Sequence, residues 1–151
     1  MEIEIGPVEA QDVEALLPLM RGYCDFYGAE PSDAELEAMS RHFIVTDHRE
    51  GTQLIARDLS GRAVGHATVL WSWDTTLAAR LAVMEDLFVA PHARGGGVGH
   101  ALLDACRDLA AQRGATGLDW LTAPDNESAQ RLYDATGARR GEWVSYRLPT
   151  S

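Results

Sequence analysis

Three observations predict that this chain forms one α+β domain, a mixed α/β fold built around a single sheet. Its 151 residues are enough for one domain, and 46% of them are hydrophobic. No repeat, linker or low-complexity segment interrupts the sequence. The hydrophobic spacing alternates between the period of a strand and that of a helix, in the order β-α-α-β-β-β-α-β-α-β.

Hydrophobic spacing and capping residues predict the first three elements, one strand and two helices. Residues 2–5, "EIEI", alternate polar and apolar side chains and predict a short strand. Apolar residues at helical spacing predict a first helix across 12–27, which Pro18 should kink or interrupt. Ser32 followed by Glu35 is a capping-box pair and predicts the start of a second helix.

Three strands are predicted next. The segments 52–57 and 63–73 are rich in strand-forming residues and are separated by a loop containing glycine, which predicts a hairpin. A third strand covers about 81–89, and Pro91 ends it.

The remaining sequence alternates helix and strand. We predict a helix from Gly97 to Gln112, a strand at 117–123, a helix from 127 to 136 and a last strand at 142–148. Strands that alternate with helices in this half, after the hairpin strands of the first half, favour a mixed sheet.

The charge is uneven along the chain. Residues 1–93 hold 16 acidic and 6 basic residues, whereas residues 94–151 hold 7 of each. The basic residues are all arginines, and the net charge is −10. An acidic protein is disfavoured as a nucleic-acid partner, because phosphates require a basic surface. The acidic half either attracts a cationic ligand or only confers solubility.

Composition also predicts the compartment. No stretch approaches the roughly 20 apolar residues of a membrane span, and the acidic N-terminal residues do not resemble a signal peptide. Cys24 and Cys106 are far apart, and we expect both to be reduced thiols packed in helices of a cytoplasmic protein. The histidines show no ligand spacing, so we expect no metal site.

The stretch 93–102, "ARGGGVGHAL", places four glycines directly before a helix. Backbone amides at a helix N-terminus bind anions, and glycines allow a close approach. Arg94 adds a charged donor, so the pattern predicts a phosphate site. The P-loop pattern is absent because the chain has no lysine, and the glycine spacing does not match the dinucleotide fingerprint.

The segment "VMEDLFVAPHARGGGVGHALLDAC" resembles the acetyl-coenzyme A (acetyl-CoA) motif of the GCN5-related N-acetyltransferase (GNAT) superfamily. Arg94, Gly97 and Gly99 fill the positions of its Arg-x-x-Gly-x-Gly pattern. The later segment "DNESAQRLYDATGARR" is similar to the second cofactor segment of that family. The resemblance implies one GNAT domain over 1–151, with a central, mostly antiparallel sheet of about six to seven strands.

The resemblance also implies how acetyl-CoA is bound. The backbone of Leu87, Phe88 and Val89 would pair with the pantetheine arm, and Asn126 would bind a pantetheine amide. The pyrophosphate would be held beside Arg94 by the backbone amides of the following turn, which are those of Gly95, Gly96, Gly97, Val98, Gly99 and His100.

In this superfamily an amine attacks the thioester, so an ammonium must lose its proton and the sulfur must gain one. Glu85 is the candidate base, and the polyamine and diamine acetyltransferases look similar there. Asp86 is the alternative, since neighbours on a strand face opposite sides, with Leu87 and Val89 on the Glu85 side. A further alternative is that neither carboxylate is a base. Tyr133 matches the general acid and also contacts the cofactor, unless it is a core residue.

Aromatic residues near carboxylates predict contacts with an organic cation. We therefore expect Tyr23, Tyr27, Trp73 and Glu85 to bind a small cationic amine, although these aromatics could instead be core residues. Two alternatives stay open: acetylation of a protein or peptide, and an acyl-CoA-binding module without turnover. Family analogy further implies a homodimer.

Overall fold

The computed structural model describes residues 2–151, in which the contacts define two units, 2–121 and Thr122–Ser151. Nine helices and strands of the described residues follow in chain order: β1 Ile3–Pro7, α1 Val13–Phe26, α2 Asp33–Val45, β2 Gly51–Asp58, β3 Ala63–Asp74, β4 Ala79–Val89, α3 Val98–Gln112, β5 Leu118–Trp120 and α4 Glu127–Asp134. Short 3-10 turns at Ala10–Asp12 and Pro91–Ala93 precede α1 and α3.

The first unit contains a five-stranded sheet in the order β1-β2-β3-β4-β5. Each neighbouring pair is antiparallel except β4 and β5, which are parallel. This is the mixed, mostly antiparallel sheet that the sequence predicts, and the fold class is confirmed.

The strand count of about six to seven is wrong, because the structure has five strands within residues 2–151. The expected strand at 142–148 does not form, and Trp143 and Tyr146 within it are 98% and 91% exposed. An alternating sequence becomes a strand only when a neighbouring strand pairs with it, and the second unit contains no strand in its described residues.

The observed helices match the predicted ones more closely than the strands do. Glu35 N donates to Ser32 Oγ (3.1 Å) and Ser32 N donates to Glu35 Oε2 (2.7 Å), so the capping box of α2 is confirmed. Pro18 lies inside α1 without interrupting it. The helix is maintained by its buried face, since Leu16 and Met20 are almost fully buried on either side of the proline.

The two faces of the sheet are covered by different helices. On one face, α1 and α2 form a core with Ile55 of β2. On the other face α3 packs closely against β3. A Cβ added at Gly65 would lie 3.0 Å from the Leu102 side chain, so the absence of a side chain at Gly65 allows this approach. Cys24 and Cys106 lie in α1 and α3 as free thiols, as expected, and burial raises the pKa of Cys106 to about 12.

Candidate active site

A β-bulge divides β4. Thr68 of β3 is in register with Asp86, but the next pair is Val69 with Met84, so Glu85 is the additional residue on β4. Glu85 is exposed. A bulge of this kind bends the strand and re-aims a side chain, and such bulges are common next to active sites.

The bulge corrects the simple alternation that the sequence suggested. Register places Met84, Leu87 and Val89 on the face toward α3, and it places Asp86 and Phe88 on the face toward α1. Glu85 has no partner on β3, so the register assigns it to neither face, and the expected face shared with Leu87 and Val89 stays a prediction. The shared face of Asp86 and Phe88 is as expected.

The pairing between β4 and β5 stops at the same point. Ala82, Val83 and Met84 pair with Leu118–Trp120, and within the described residues of the first unit no strand pairs with the β5-facing edge of 85–89. No strand occupies this edge, so its backbone can pair with an extended ligand that carries amide groups, although side chains already donate to the carbonyls of Glu85 and Val89. Leu87, Phe88 and Val89 lie on this open edge, as the resemblance implied.

The glycine turn follows directly. Gly95 and Gly97 have φ of +79° and +84°, which favours glycine, and a Cβ on either residue would enter open space. Gly97 is the N-cap of α3, so the amides of Val98, Gly99 and His100 belong to the first turn, where no intrahelical partner is available. The turn fits a pyrophosphate, because it combines open space with helix-terminal donors.

Two polar side chains beside the turn, those of Arg94 and His100, have partners in the protein. Arg94 Nε donates to the carbonyl of Val89 (3.0 Å), and its guanidinium carbon lies 5.6 Å from the centre of the Phe88 ring. Arg94 at the start of the turn is therefore held against the end of β4 by these two contacts. His100 Nε2 lies 3.4 Å from a carboxylate oxygen of Asp104 on the next turn of α3.

Helix α1 brings aromatic side chains to the bulge. Tyr23 donates its hydroxyl hydrogen to the backbone carbonyl of Glu85 (3.2 Å), and its ring lies 5.0 Å from that of Tyr27. Tyr27 and Phe26 are 46% and 59% exposed. The structure thus brings together Tyr23, Tyr27 and Glu85, three of the four residues expected on the acceptor side.

Trp73, the fourth expected residue, lies elsewhere. It is four positions beyond Val69 on β3, roughly 13 Å along a strand of ordinary rise. Its ring is 4.7 Å from the guanidinium carbon of Arg80. Trp71 likewise has an arginine, Arg113, 4.9 Å from its ring. Both tryptophans therefore already contact cations of the protein itself.

The second unit positions the other two predicted residues. Asn126 caps α4, since its Oδ1 accepts from the backbone N of Ala129 (3.2 Å). Tyr133 is half-buried on α4, and its carbonyl accepts from the hydroxyl of Thr136 (2.7 Å).

A residue that the sequence analysis did not single out lies beneath the bulge. His66 of β3 is fully buried, with Nε2 3.4 Å from Oδ1 of Asp86. Burial lowers the pKa of His66, and the negative charge of Asp86 raises it by a smaller amount. The available signal was a single imidazole within the strand 63–71, whose other residues are apolar except Thr68.

Across residues 2–151, no group of three or more His, Cys, Asp or Glu side chains is arranged to hold a metal ion. None of the described helices has the length and apolar character needed to cross a membrane.

Comparison with known proteins agrees with this geometry. The model of the Acetyltransferase (GNAT) family matches residues 16–138. The chain is 31% identical to the uncharacterized N-acetyltransferase YhfO of Bacillus subtilis (strain 168), over 89% of each chain. It is 34% identical to an L-2,4-diaminobutyric acid acetyltransferase of Nocardia farcinica (strain IFM 10152), over 60% of this chain and 45% of that one.

Among solved structures, a probable acetyltransferase superposes with a TM-score of 0.85 at 26% identity and covers 100% of this chain and 99% of its own. Acetyl-CoA is the acetyl donor of the matched family, and the open edge of β4 with its glycine turn fits that donor. The chain therefore belongs to the Acetyltransferase (GNAT) family and is an acetyl-CoA-dependent N-acetyltransferase.

Proposed function

We propose that the enzyme acetylates a small cationic primary amine, with Glu85 as the general base and Tyr133 as the general acid. The observation that carries the proposal is the bulge in β4. It leaves Glu85 exposed at the point where pairing with β5 ends, beside the edge that fits the cofactor.

The donor supplies an acetyl thioester, and the chain supplies its binding groups and the proton transfers. The open edge of β4 binds the amide-rich arm, and the amides of the Gly95–His100 turn hold the pyrophosphate. Arg94 keeps this turn against the end of β4 through its bond to Val89. Asn126 binds an amide of the same arm in addition to capping α4.

Proton transfer assigns the roles of the two catalytic groups. An alkylamine titrates near pH 10 and arrives as an ammonium, so it must lose a proton before its nitrogen can attack. Glu85 accepts that proton, directly or through water. Tyr133 donates its hydroxyl proton to the departing sulfur, as the family resemblance implies. Asp86 remains the alternative base.

A cationic acceptor is supported by three independent features. Residues 1–93 carry the acidic excess of the chain, and the bulge lies within them. The rings of Tyr23 and Tyr27 stand beside that bulge, and aromatic faces attract organic cations. The partial match to an L-2,4-diaminobutyric acid acetyltransferase points to the same chemistry.

Release of the free thiol from acetyl-CoA tests the proposal. The panel contains an alkyl diamine and also 2,4-diaminobutyrate. It further contains a monoamine without a second charged group, a peptide with a free N-terminus, and a blank without acceptor. We expect release with the diamine or 2,4-diaminobutyrate, above the blank. Release with the peptide alone would replace the proposal by protein acetylation. Tight acetyl-CoA binding without release across the panel would favour a binding module.

A further inference from the structure

The buried face beneath α1 holds polar atoms that the proposed reaction does not use. Within residues 2–151, neither ring nitrogen of His66 nor Oδ1 of Asp86 has a hydrogen-bond partner, and all three atoms are buried. Buried polar groups without partners are rare in folded proteins and are often retained for function. This pair therefore calls for a functional explanation.

The surrounding side chains hold the imidazole in place. The rings of Tyr23 and Phe88 lie 6.4 and 6.2 Å from the His66 ring. Phe88 in turn packs against α1 at Gly22, where an added Cβ would come within 2.6 Å of the phenyl ring. Tyr23 therefore has two contacts: its ring packs beside His66, and its hydroxyl donates to the carbonyl of Glu85.

The distance between His66 and Asp86 is close to that of a hydrogen bond. At 3.4 Å, Nε2 and Oδ1 are a few tenths of an ångström beyond the usual range for N–H···O, so a small side-chain rotation closes the contact. Burial favours the neutral imidazole, which carries one N–H. If that hydrogen is on Nε2, it points at the carboxylate, and only the acceptor nitrogen Nδ1 is left buried without a partner.

Asp86 connects this buried pair to the site. It follows Glu85 in the bulge and lies on the α1 face, and its side chain retains 14% exposure. One carboxylate oxygen is therefore buried toward His66 while part of the side chain can still be reached from solvent.

We propose that His66 is a positioning residue that donates from Nε2 to Asp86 and fixes this carboxylate as a negative charge for the acceptor amine. The inference rests on the proposed function, since the amine is the acceptor of that reaction. The titratable groups facing this pair come from three elements. Glu85 precedes Asp86 on β4, and Tyr23 of α1 bonds to the Glu85 carbonyl. Burial, together with the charge of Asp86, raises the pKa of Cys24 on α1 and of Cys106 on α3.

The first test requires no activity. Nitrogen-15 and proton NMR of the ligand-free protein determines which ring nitrogen of His66 carries the hydrogen, with His66→Gln used to assign the signal. We expect the hydrogen on Nε2, and we expect its resonance to move in Asp86→Leu, which removes the acceptor. A hydrogen on Nδ1 in the wild type would overturn the proposal.

The second test uses the amine identified by the thiol-release panel. His66→Phe fills the space without a donor and should lower kcat/KM for the amine by about tenfold or more. Acetyl-CoA affinity should stay within about twofold. His66→Gln retains an N–H donor and should recover most of the loss. His42→Phe, which changes an exposed histidine of α2 paired with Glu50, is the matched control.

Several results would contradict the proposal. His66→Phe could retain full activity toward the amine, or both variants could lose amine and acetyl-CoA binding equally, as expected for a residue that only fills the core. If His66→Phe does not fold by circular dichroism, the NMR result and His66→Gln decide. If no amine is acetylated, the proposed function fails, and the NMR experiment still decides whether His66 and Asp86 are paired.

Discussion

The two halves of β4 have the same strand conformation but different surroundings. Ala82–Met84 is paired on both edges, with β3 on one side and β5 on the other, whereas Glu85–Val89 is paired only with β3 among the described strands of its unit. The bulge at Glu85 marks the change. The first half lies between two strands of the sheet, and we propose that the second half, where the pairing with β5 has ended, binds the cofactor and the acceptor amine.

Replacement of Glu85 by Gln has the largest expected effect on the open half of β4. It removes the proposed base and keeps the shape, so kcat/KM for the amine should fall roughly 10²- to 10⁴-fold. Steady-state kinetics across pH measures the change, and Glu4→Gln on β1 is the control for loss of an acidic side chain. Unchanged kinetics at every pH would remove Glu85 from the chemistry.

Core truncations compare the stability of the two halves. Met84 is 4% exposed in the closed half, so Met84→Ala should lower the free energy of unfolding by about 2–5 kcal/mol. Leu87→Ala, at a half-buried position of the open half, should cost clearly less. Urea denaturation measures the free energy of unfolding of both variants and of the wild type. Equal losses would show that the open half also belongs to the structural core.

The glycine turn extends the open half and can be tested by its backbone. Gly97→Ala places a side chain at φ +84° and should cost about 1–2 kcal/mol of unfolding free energy. Gly6→Ala on β1 is a matched control, because a Cβ there also meets open space but φ is not positive. Thermal unfolding compares them. A Gly97→Ala variant as stable as Gly6→Ala would contradict the strained turn.

Acid should affect stability through the imidazole beneath the open half. Burial depresses the pKa of His66, so the unfolded chain binds this proton more readily. The contribution of His66 to stability is therefore full above pH 6.5 and declines as pH falls below it, by at most about 1.4 kcal/mol per pH unit. Denaturation of wild type and His66→Gln between pH 7.5 and 5 should show a steeper loss for the wild type. An equal loss of unfolding free energy in the two proteins across this pH range would contradict the prediction.

The smallest expected effect separates two aromatic positions. Tyr23→Phe removes the hydrogen bond to the carbonyl of Glu85, worth about 0.5–1.5 kcal/mol, and should raise KM for the amine severalfold. Trp73→Ala changes a ring that faces Arg80, away from the bulge, and should leave this KM nearly unchanged. Kinetics with both variants tests the assignment. A larger effect at Trp73 would place the acceptor elsewhere.

Features encoded by a few neighbouring residues could be predicted from the sequence. The Ser32–Glu35 capping box and the glycine turn before α3 depend on local sequence, and both are found in the structure. The family motif pointed to Leu87–Val89, which the structure places on an open strand edge.

Features that depend on distant partners could not be predicted. The bulge at Glu85 arises from the register of β4 against β3, which no local pattern encodes. The segment 142–148 alternates like a strand and yet forms none, because alternation does not supply a partner. The contact of His66 with Asp86 joins side chains twenty positions apart, so only the folded sheet reveals it.

Amide hydrogen exchange with and without acetyl-CoA tests the division of β4 most directly. The amides of Leu87–Val89 that point away from β3, together with those of Val98–His100, should exchange more slowly in the presence of acetyl-CoA. The amides of Ala82–Met84 should be protected equally in both samples, since β3 and β5 already pair with them. Unchanged exchange across Leu87–Val89 at saturating acetyl-CoA would contradict the assignment of the open half as the cofactor site.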